Sequence, residues 1–476
     1  MKQYEHAFGK NDIRGIYGDD ITEELFYNIG LGYAKWLKDK SSKNATDLKI
    51  SVCMDARLHS PSLKKALIAG LVDSNVGYIE DLGLAPTPIG YYSEVAHNLD
   101  GAMIITASHN PKEYNGLKMT YNRQTLNESQ IKEVKEETFS IWKELPSNIE
   151  EKDFSTEIIP EYIAEMKQKF GRIGEGIKVV VDSANATGGI VGPQLYKDLG
   201  CEVIELFSEP DGTFPNHHPN PSVLSTLETL SKTVVENNAD LGIAYDGDSD
   251  RIGVVDSKGQ PLTGDKLLLI YAMDIIEQHP TVVSEVKCSQ VLFDTINNAG
   301  GNAIMCKTGH GYIKEKMKET HAILGGEMSG HTFFKDRYYG FDDAIYAGCR
   351  MIEIVAKNKK QNPNFKLENM LEPFNQVFTS DEVRFPCPNH LKKEVFESMK
   401  KEVQEKPDMF GSTIKEIVTL DGMRIVFDGG FALIRQSNTE PVFTLRFEAK
   451  TKEEAERFKT VMTSYLDSCI MAKSSN

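Results

Sequence analysis

Short apolar runs alternate with helix-compatible stretches over most of the chain, and the alternation recurs three times. The first run of each repeat is LKISVCMD from Leu48, IKVVVD from Ile177 and TVVSEV from Thr281. A helix-like segment follows and closes near a glycine, at Gly77, Gly200 or Gly301. A second apolar run comes next, reading YIEDLG, EVIELF or NAIMCKTG. Strands alternating with helices in this way predict α/β units with a mostly parallel sheet. Each repeat then holds a further apolar run ending in polar residues: GAMIITASHNP from Gly101, ADLGIAYDGDSDR from Ala239 and HAILGGEMSGH from His321. Ligands of open α/β sheets bind beyond the carboxyl ends of the strands, so three loops at equivalent places are candidates for function.

The remaining segments complete the domain plan. Asn127–Asp153 is charged and helix-compatible, and predicts a connection between the first two units. Glu372–Pro388 contains three prolines and predicts a linker. Beyond it GMRIVFD, FALIRQS and VFTLRFEAK alternate as short strands, and KEEAERFKTVMTSYL reads as a helix. This predicts a small C-terminal α+β domain with an antiparallel sheet. The expected domains are 1–152, 153–256, 257–370 and 371–476.

Composition narrows the function. The 476 residues carry a formal net charge of −16, which argues against a nucleic-acid partner. A few converging arginines, lysines and backbone N–H groups still suffice to hold a phosphorylated substrate. Seven scattered cysteines without a C-x-x-C predict reduced thiols and a cytoplasmic protein. The N-terminal MKQYEHAFGKNDIRG lacks the apolar region of a signal peptide. No apolar run approaches the ~20 residues of a membrane span, so no membrane partner is expected.

Four strings carry candidate chemistry. In TASHNP, Ser108 follows a buried strand and His109 follows it, a placement that suits a nucleophile or phosphate carrier. DGDSDR sets Asp246, Asp248 and Asp250 at alternate positions, on one face if the segment is extended. Three carboxylates so close call for a cation, and oxygen-only ligands suit Mg²⁺. An EF-hand is excluded by Arg251 and Ser257 at its sixth and twelfth positions. In GGEMSGH, Glu327, Ser329 and His331 alternate, and their side chains suit a polyol such as a sugar. RQSNTEP offers the fork of Arg435 with Ser437, Asn438 and Thr439, which suits a phosphate. Arg14 in NDIRG, Lys118 in NGLK and His310 in KTGHG are weaker signals. Taken singly, TASHNP, GGEMSGH and RQSNTEP are also compatible with plain turns.

Taken together and in this order, the strings resemble the α-D-phosphohexomutase superfamily, and within it the bacterial phosphomannomutase/phosphoglucomutase group. The resemblance covers nearly the whole chain. It implies three related α/β domains with mixed sheets and a smaller fourth α+β domain, around a central cleft. It also implies that Ser108 is phosphorylated, and that Asp246, Asp248 and Asp250 hold Mg²⁺ with a phosphoserine oxygen. Arg251 would lie beside them. Glu327 and Ser329 would bind sugar hydroxyls, and Arg435, Ser437, Asn438 and Thr439 the non-reacting phosphate. Arg14, Lys118, His310 and His331 match the remaining site positions, with Lys118 or His310 as proton shuttle.

The implied reaction interconverts hexose 6-phosphate and hexose 1-phosphate, of mannose or glucose, through a hexose 1,6-bisphosphate. Phosphoglucosamine mutase and a serine-dependent sugar phosphatase are the alternatives, and the assembly expected is a monomer or dimer. One departure stands out: the first motif reads FGKNDIRG, with Gly9 and Asn11 where the family usually has a longer form containing an arginine and an aromatic residue.

Overall fold

The computed structural model describes residues 2–149, 152–437 and 440–474. The chain gathers into two compact units. The first comprises Met1–Thr263, Ser329–Phe334 and Tyr339–Leu367, and the second Gly264–Met328, Lys335–Tyr338 and Glu368–Asn476.

The first unit contains two mixed sheets. In one, Lys49–Met54 lies parallel between Tyr78–Leu84 and Gly101–Ile105. Tyr114–Tyr121 runs antiparallel to Gly101–Ile105 and pairs along its other side with Ile13–Ile16. The helix Glu23–Ser41 starts where the Thr22 side chain accepts from the Leu25 N–H. Glu23 and Glu24 sit at its positive end, and Lys38 and Lys40 at its negative end. Leu25, Ile29, Tyr33, Trp36 and Leu37 recur at helical spacing and share a core with Ile50, Val52, Met103, Ile105 and Leu117 of the sheet. Burying each such side chain contributes about 1.5–3 kcal/mol. The charged stretch from Asn127 begins as the helix Glu128–Ser140, closed by an Asn127–Gln130 capping box, and adds Ile131 and Val134 to that core.

In the second sheet Lys178–Asp182 is parallel to Glu202–Leu206 and Leu241–Tyr245, and Ile252–Val255 turns back antiparallel to Leu241–Tyr245. The second unit repeats the parallel theme: Thr281–Glu285 pairs with Asn302–Cys306 and Leu324–Gly326. Its C-terminal part is an antiparallel sheet of Glu416–Val418, Met423–Phe427, Gly430–Gln436 and Val442–Ala449. Ile425, Ile434 and Leu445 of that sheet meet Val395 and Met399 of the helix Asn389–Glu405, and Phe458 and Leu466 of the helix Lys452–Ser474.

One expectation fails. Glu372–Pro388 is not a bare linker, because Phe378–Thr379 and Val383–Pro386 both pair with Val442–Ala449. Pro386 closes an outer strand, where one missing N–H is tolerated.

Candidate active site

The phosphoserine candidate sits in a turn that its sequence alone would resist. Gly101–Ile105 ends, and Ser108 adopts φ +48°, the left-handed region, at a cost of roughly 1–2 kcal/mol for a residue with a side chain. The Thr106 hydroxyl accepts from the Ser108 N–H at 2.8 Å. Ser108 Oγ donates to Asp246 Oδ2 at 2.7 Å and lies 3.0 Å from His109 Nδ1. Arg251 Nη1 lies 3.4 Å from His109 Nε2. Guanidinium only donates, so Nε2 accepts and the His109 proton sits on Nδ1, facing Ser108 Oγ. Burial, reinforced by the charges of Arg251 and Arg14, drives the His109 pKa down to about 2, so its ring is neutral. Arg14 reaches the same loop through Asn110 Oδ1 at 2.8 Å and pairs with Asp12.

Leu241–Tyr245 delivers the acid triad. The segment is not extended as the alternation suggested: it is a turn, with Ser249 at φ +62°. The turn brings carboxylate oxygens of Asp246, Asp248 and Asp250 within 4.8 Å of one another, all three residues buried. Gly247 is needed for close approach, since a Cβ there would stand 2.2 Å from the Ser108 carbonyl oxygen. Lys118, on Tyr114–Tyr121, donates to Asp248 Oδ2 at 2.6 Å and Asp250 Oδ2 at 2.5 Å. Asp248 Oδ1 is buried with no hydrogen-bond partner among the described residues. A buried, unsatisfied carboxylate oxygen beside two further carboxylates fits a hard divalent cation.

Electrostatics follow from this crowding. Burial and the charges of Asp250 and Asp248 hold the Asp246 pKa well above the usual carboxylate range. Burial works in the same direction on Asp250, but Lys118, His331 and Arg251 outweigh it and hold Asp250 well below. Burial alone would lower Lys118, yet Asp248 and Asp250 raise it, so its ammonium stays charged.

GGEMSGH also forms a turn, with Gly330 at φ +95°, so its alternate residues do not share one extended face. His331 joins the acid triad, with Nε2 3.4 Å from Asp250 Oδ1 and 3.3 Å from Arg251 Nε. Ser329 Oγ lies 3.1 Å from His331 Nδ1. Glu327 belongs to the second unit and accepts from the Gly309 N–H at 2.8 Å, next to His310. In that unit Arg435 is held by Asp421 Oδ2, 2.9 Å from Nε and 2.7 Å from Nη2, and the same oxygen accepts from the Thr308 N–H at 3.1 Å. Ser437 Oγ accepts from the Glu440 N–H at 3.1 Å, whereas Asn438 and Thr439 lie outside the described residues.

Two features went unread in the sequence. Thr87 donates its hydroxyl to Asp248 Oδ2 at 2.6 Å and its N–H to the Asp248 carbonyl at 2.8 Å. Asp55 and Arg57 lie beneath the Ser108 turn, both buried. The D-x-R spacing just after a strand was their only signal.

Four family models, all described as phosphoglucomutase/phosphomannomutase, match this chain. Alpha/beta/alpha domain I matches 5–144, domain II 160–259, domain III 263–374 and the C-terminal domain 382–463. The chain belongs to the phosphoglucomutase/phosphomannomutase family. A phosphomannomutase/phosphoglucomutase of Pseudomonas aeruginosa is 39% identical over 463 residues, covering 96% of this chain and 95% of that protein. A phosphoglucomutase of Neisseria meningitidis is 37% identical over 467 residues, covering 97% and 96%. The crystal structure of a phosphoglucomutase/phosphomannomutase family protein from Burkholderia thailandensis superposes with a TM-score of 0.83 at 31% identity, covering 97% of each chain. The fold is therefore that of this family: three α/β domains and a smaller C-terminal domain. Among the described residues no helix is long and apolar enough to cross a membrane.

Proposed function

We propose that the chain is a phosphohexomutase that carries its phosphoryl group on Ser108 and interconverts hexose 1- and 6-phosphates of mannose or glucose. The carrying observation is Ser108 Oγ 2.7 Å from Asp246 of a buried triad, with Lys118 charged beside it. The free hydroxyl of a hexose monophosphate attacks the phosphorus of phosphoserine. The new P–O bond forms on the sugar, the bond to Ser108 Oγ breaks, and the proton given up by the sugar hydroxyl is balanced by one delivered to Ser108 Oγ, which is left as a free hydroxyl. The resulting hexose 1,6-bisphosphate turns around, and its other phosphoryl group returns to Ser108. Arg14, Arg251 and neutral His109 line the transfer position, and positioning supplies much of the rate. Lys118, held as an ammonium, serves as a proton donor rather than a base in this state.

Asp246, Asp248 and Asp250 would hold Mg²⁺ together with an oxygen on Ser108. The ion would neutralise charge on the phosphoryl oxygens. Glu327, Ser329 and His331 are assigned to the sugar, His310 to proton transfer, and Arg435, Ser437, Asn438 and Thr439 to the resting phosphate. The domains are taken as 1–152, 153–256, 257–370 and 371–476, and the enzyme as cytoplasmic.

A coupled assay on mannose 1-phosphate, glucose 1-phosphate and glucosamine 1-phosphate, with peptide mass spectrometry, tests the reading. The expected result is 6-phosphate product from the first two and phosphate on Ser108 after incubation with a hexose 1,6-bisphosphate. Turnover fastest on glucosamine 1-phosphate would favour that alternative. Release of inorganic phosphate without isomer would point to a phosphatase, and phosphate on another residue would end the Ser108 mechanism.

A further inference from the structure

The Ser108 turn is built on one buried guanidinium. Arg57 is 1% exposed and directs its five N–H donors to five acceptors. Nε donates to Asp55 Oδ2 at 3.0 Å. Nη1 donates to the carbonyls of Pro111 at 2.6 Å and Tyr114 at 3.0 Å. Nη2 donates to the carbonyls of Ser108 at 3.0 Å and Asn110 at 2.7 Å. Four carbonyl dipoles of one loop therefore point inward at a single cation. Without it they would repel one another in the interior, although the Pro111 carbonyl would keep the Tyr114 N–H, which donates to it at 3.0 Å. Asp55 completes the frame, since Oδ2 also accepts from the Ala107 N–H at 3.3 Å and Oδ1 from Ser60 Oγ at 2.8 Å. The Pro- and His-rich segment from Pro210 covers the node. Phe214 stacks 5.4 Å from the Arg57 guanidinium, and a Cβ on Gly212 would come 2.3 Å from the Ala56 carbonyl.

We infer that Arg57 is the positioning residue that holds the Ser108 turn in its left-handed, transfer-ready form, which rests on Ser108 being the phosphoryl carrier. Its five N–H donors are all engaged by Asp55 and the four carbonyls, and none is directed at the Ser108 hydroxyl. Its five bonds offset the strain at Ser108 and fix where Oγ stands relative to Asp246. Lysine cannot replace it, because three donors on one nitrogen cannot serve five separated acceptors.

The test compares Arg57→Ala, Arg57→Lys and the core variant Leu67→Ala, chosen because Leu67 is fully buried in the same domain. Melting temperature, kcat and KM for a hexose 1-phosphate, and the single-turnover rate of phosphate uptake at Ser108 from a hexose 1,6-bisphosphate are measured. Displacing a reacting atom by about 1 Å costs on the order of 10²-fold, so Arg57→Ala should lose roughly that in kcat and in uptake rate. KM should stay within about threefold, because no substrate contact is removed. Guanidinium chloride at non-denaturing concentration should restore part of the uptake rate in Arg57→Ala, and ammonium chloride should not. Arg57→Lys should fold and still be slow, which keeps the test decisive if Arg57→Ala does not fold. Leu67→Ala should lose thermal stability with kcat near wild type. Wild-type uptake rates in either Arg57 variant, or an equal kcat loss in Leu67→Ala, would overturn the inference. Absence of phosphate on Ser108 in the wild type would instead overturn the carrier reading beneath it.

Discussion

Thr87→Val removes one hydroxyl from behind the acid triad and leaves the rest of the site in place. Thr87 is fully buried, and its hydroxyl donates to Asp248 Oδ2 at 2.6 Å. Valine preserves the shape and keeps the N–H that donates to the Asp248 carbonyl at 2.8 Å. Asp248 Oδ2 would then rest on Lys118 alone, and the carboxylate would be freer to rotate. A hydrogen bond to a charged group contributes about 1.5–3 kcal/mol, which is roughly a tenfold to hundredfold effect in an equilibrium constant. Outer partners of metal ligands typically cost the same range when removed. The half-saturating Mg²⁺ concentration for mutase turnover should therefore rise about tenfold to hundredfold, while kcat at saturating Mg²⁺ stays within about threefold of wild type. The assay is a Mg²⁺ titration of the coupled reaction, paired with the Mg²⁺ dependence of the melting temperature. An unchanged half-saturation point would refute the claim that Thr87 orients Asp248. A kcat loss that excess Mg²⁺ does not recover would place Thr87 in the transfer step itself.

Arg435→Ala should lower kcat/KM by roughly tenfold to a few hundredfold, measured with a hexose 1-phosphate, since the phosphate contact proposed for Arg435 would be lost. Asp421→Asn keeps an acceptor for Arg435 and the Thr308 N–H but removes its charge, and should raise KM by about fivefold in the same assay. If the triad holds Mg²⁺ as proposed, the ion should raise the melting temperature of the wild type and not that of Asp248→Asn. Glu94→Gln tests a buried acid whose pKa is pushed by burial from 4.5 up to about 7. Because the folded value lies above the unfolded one, the wild type loses stability as pH rises from about 4.5 to 7. The variant does not, so urea unfolding at pH 8 should find Glu94→Gln more stable by about 3 kcal/mol, with no difference below pH 4.

The strands and the loops that follow them were legible because period and punctuation are local. Gly101–Ile105 and Leu241–Tyr245 are fully buried runs, and both end where the polar residues begin. The conformations of those loops were not legible. Asp246–Asp250 converge through a turn with a left-handed Ser249, a choice made by packing against Ser108 and Lys118 rather than by alternation. Thr87 was invisible because its partner lies 161 residues away. Arg57 reads as a surface residue, since arginine is rarely buried unless every donor is matched, and its matches are carbonyls that no side-chain pattern reveals. The proline-rich segment before the last domain was misread because proline marks an outer strand as well as a linker.

The two halves of the serine site are made at different times. The five acceptors of Arg57 all lie within the first 114 residues, so every hydrogen-bond partner of that guanidinium is synthesised ahead of the acid triad. The carboxylates that flank Lys118 follow it by 130 and 132 residues. At roughly 5–20 residues per second they emerge on the order of ten seconds later. Through that interval the nascent chain carries Ser108 and Lys118 without Asp246, Asp248 or Asp250 beside them. The hydroxyl meets its acid partners only after a second sheet has been synthesised and has docked.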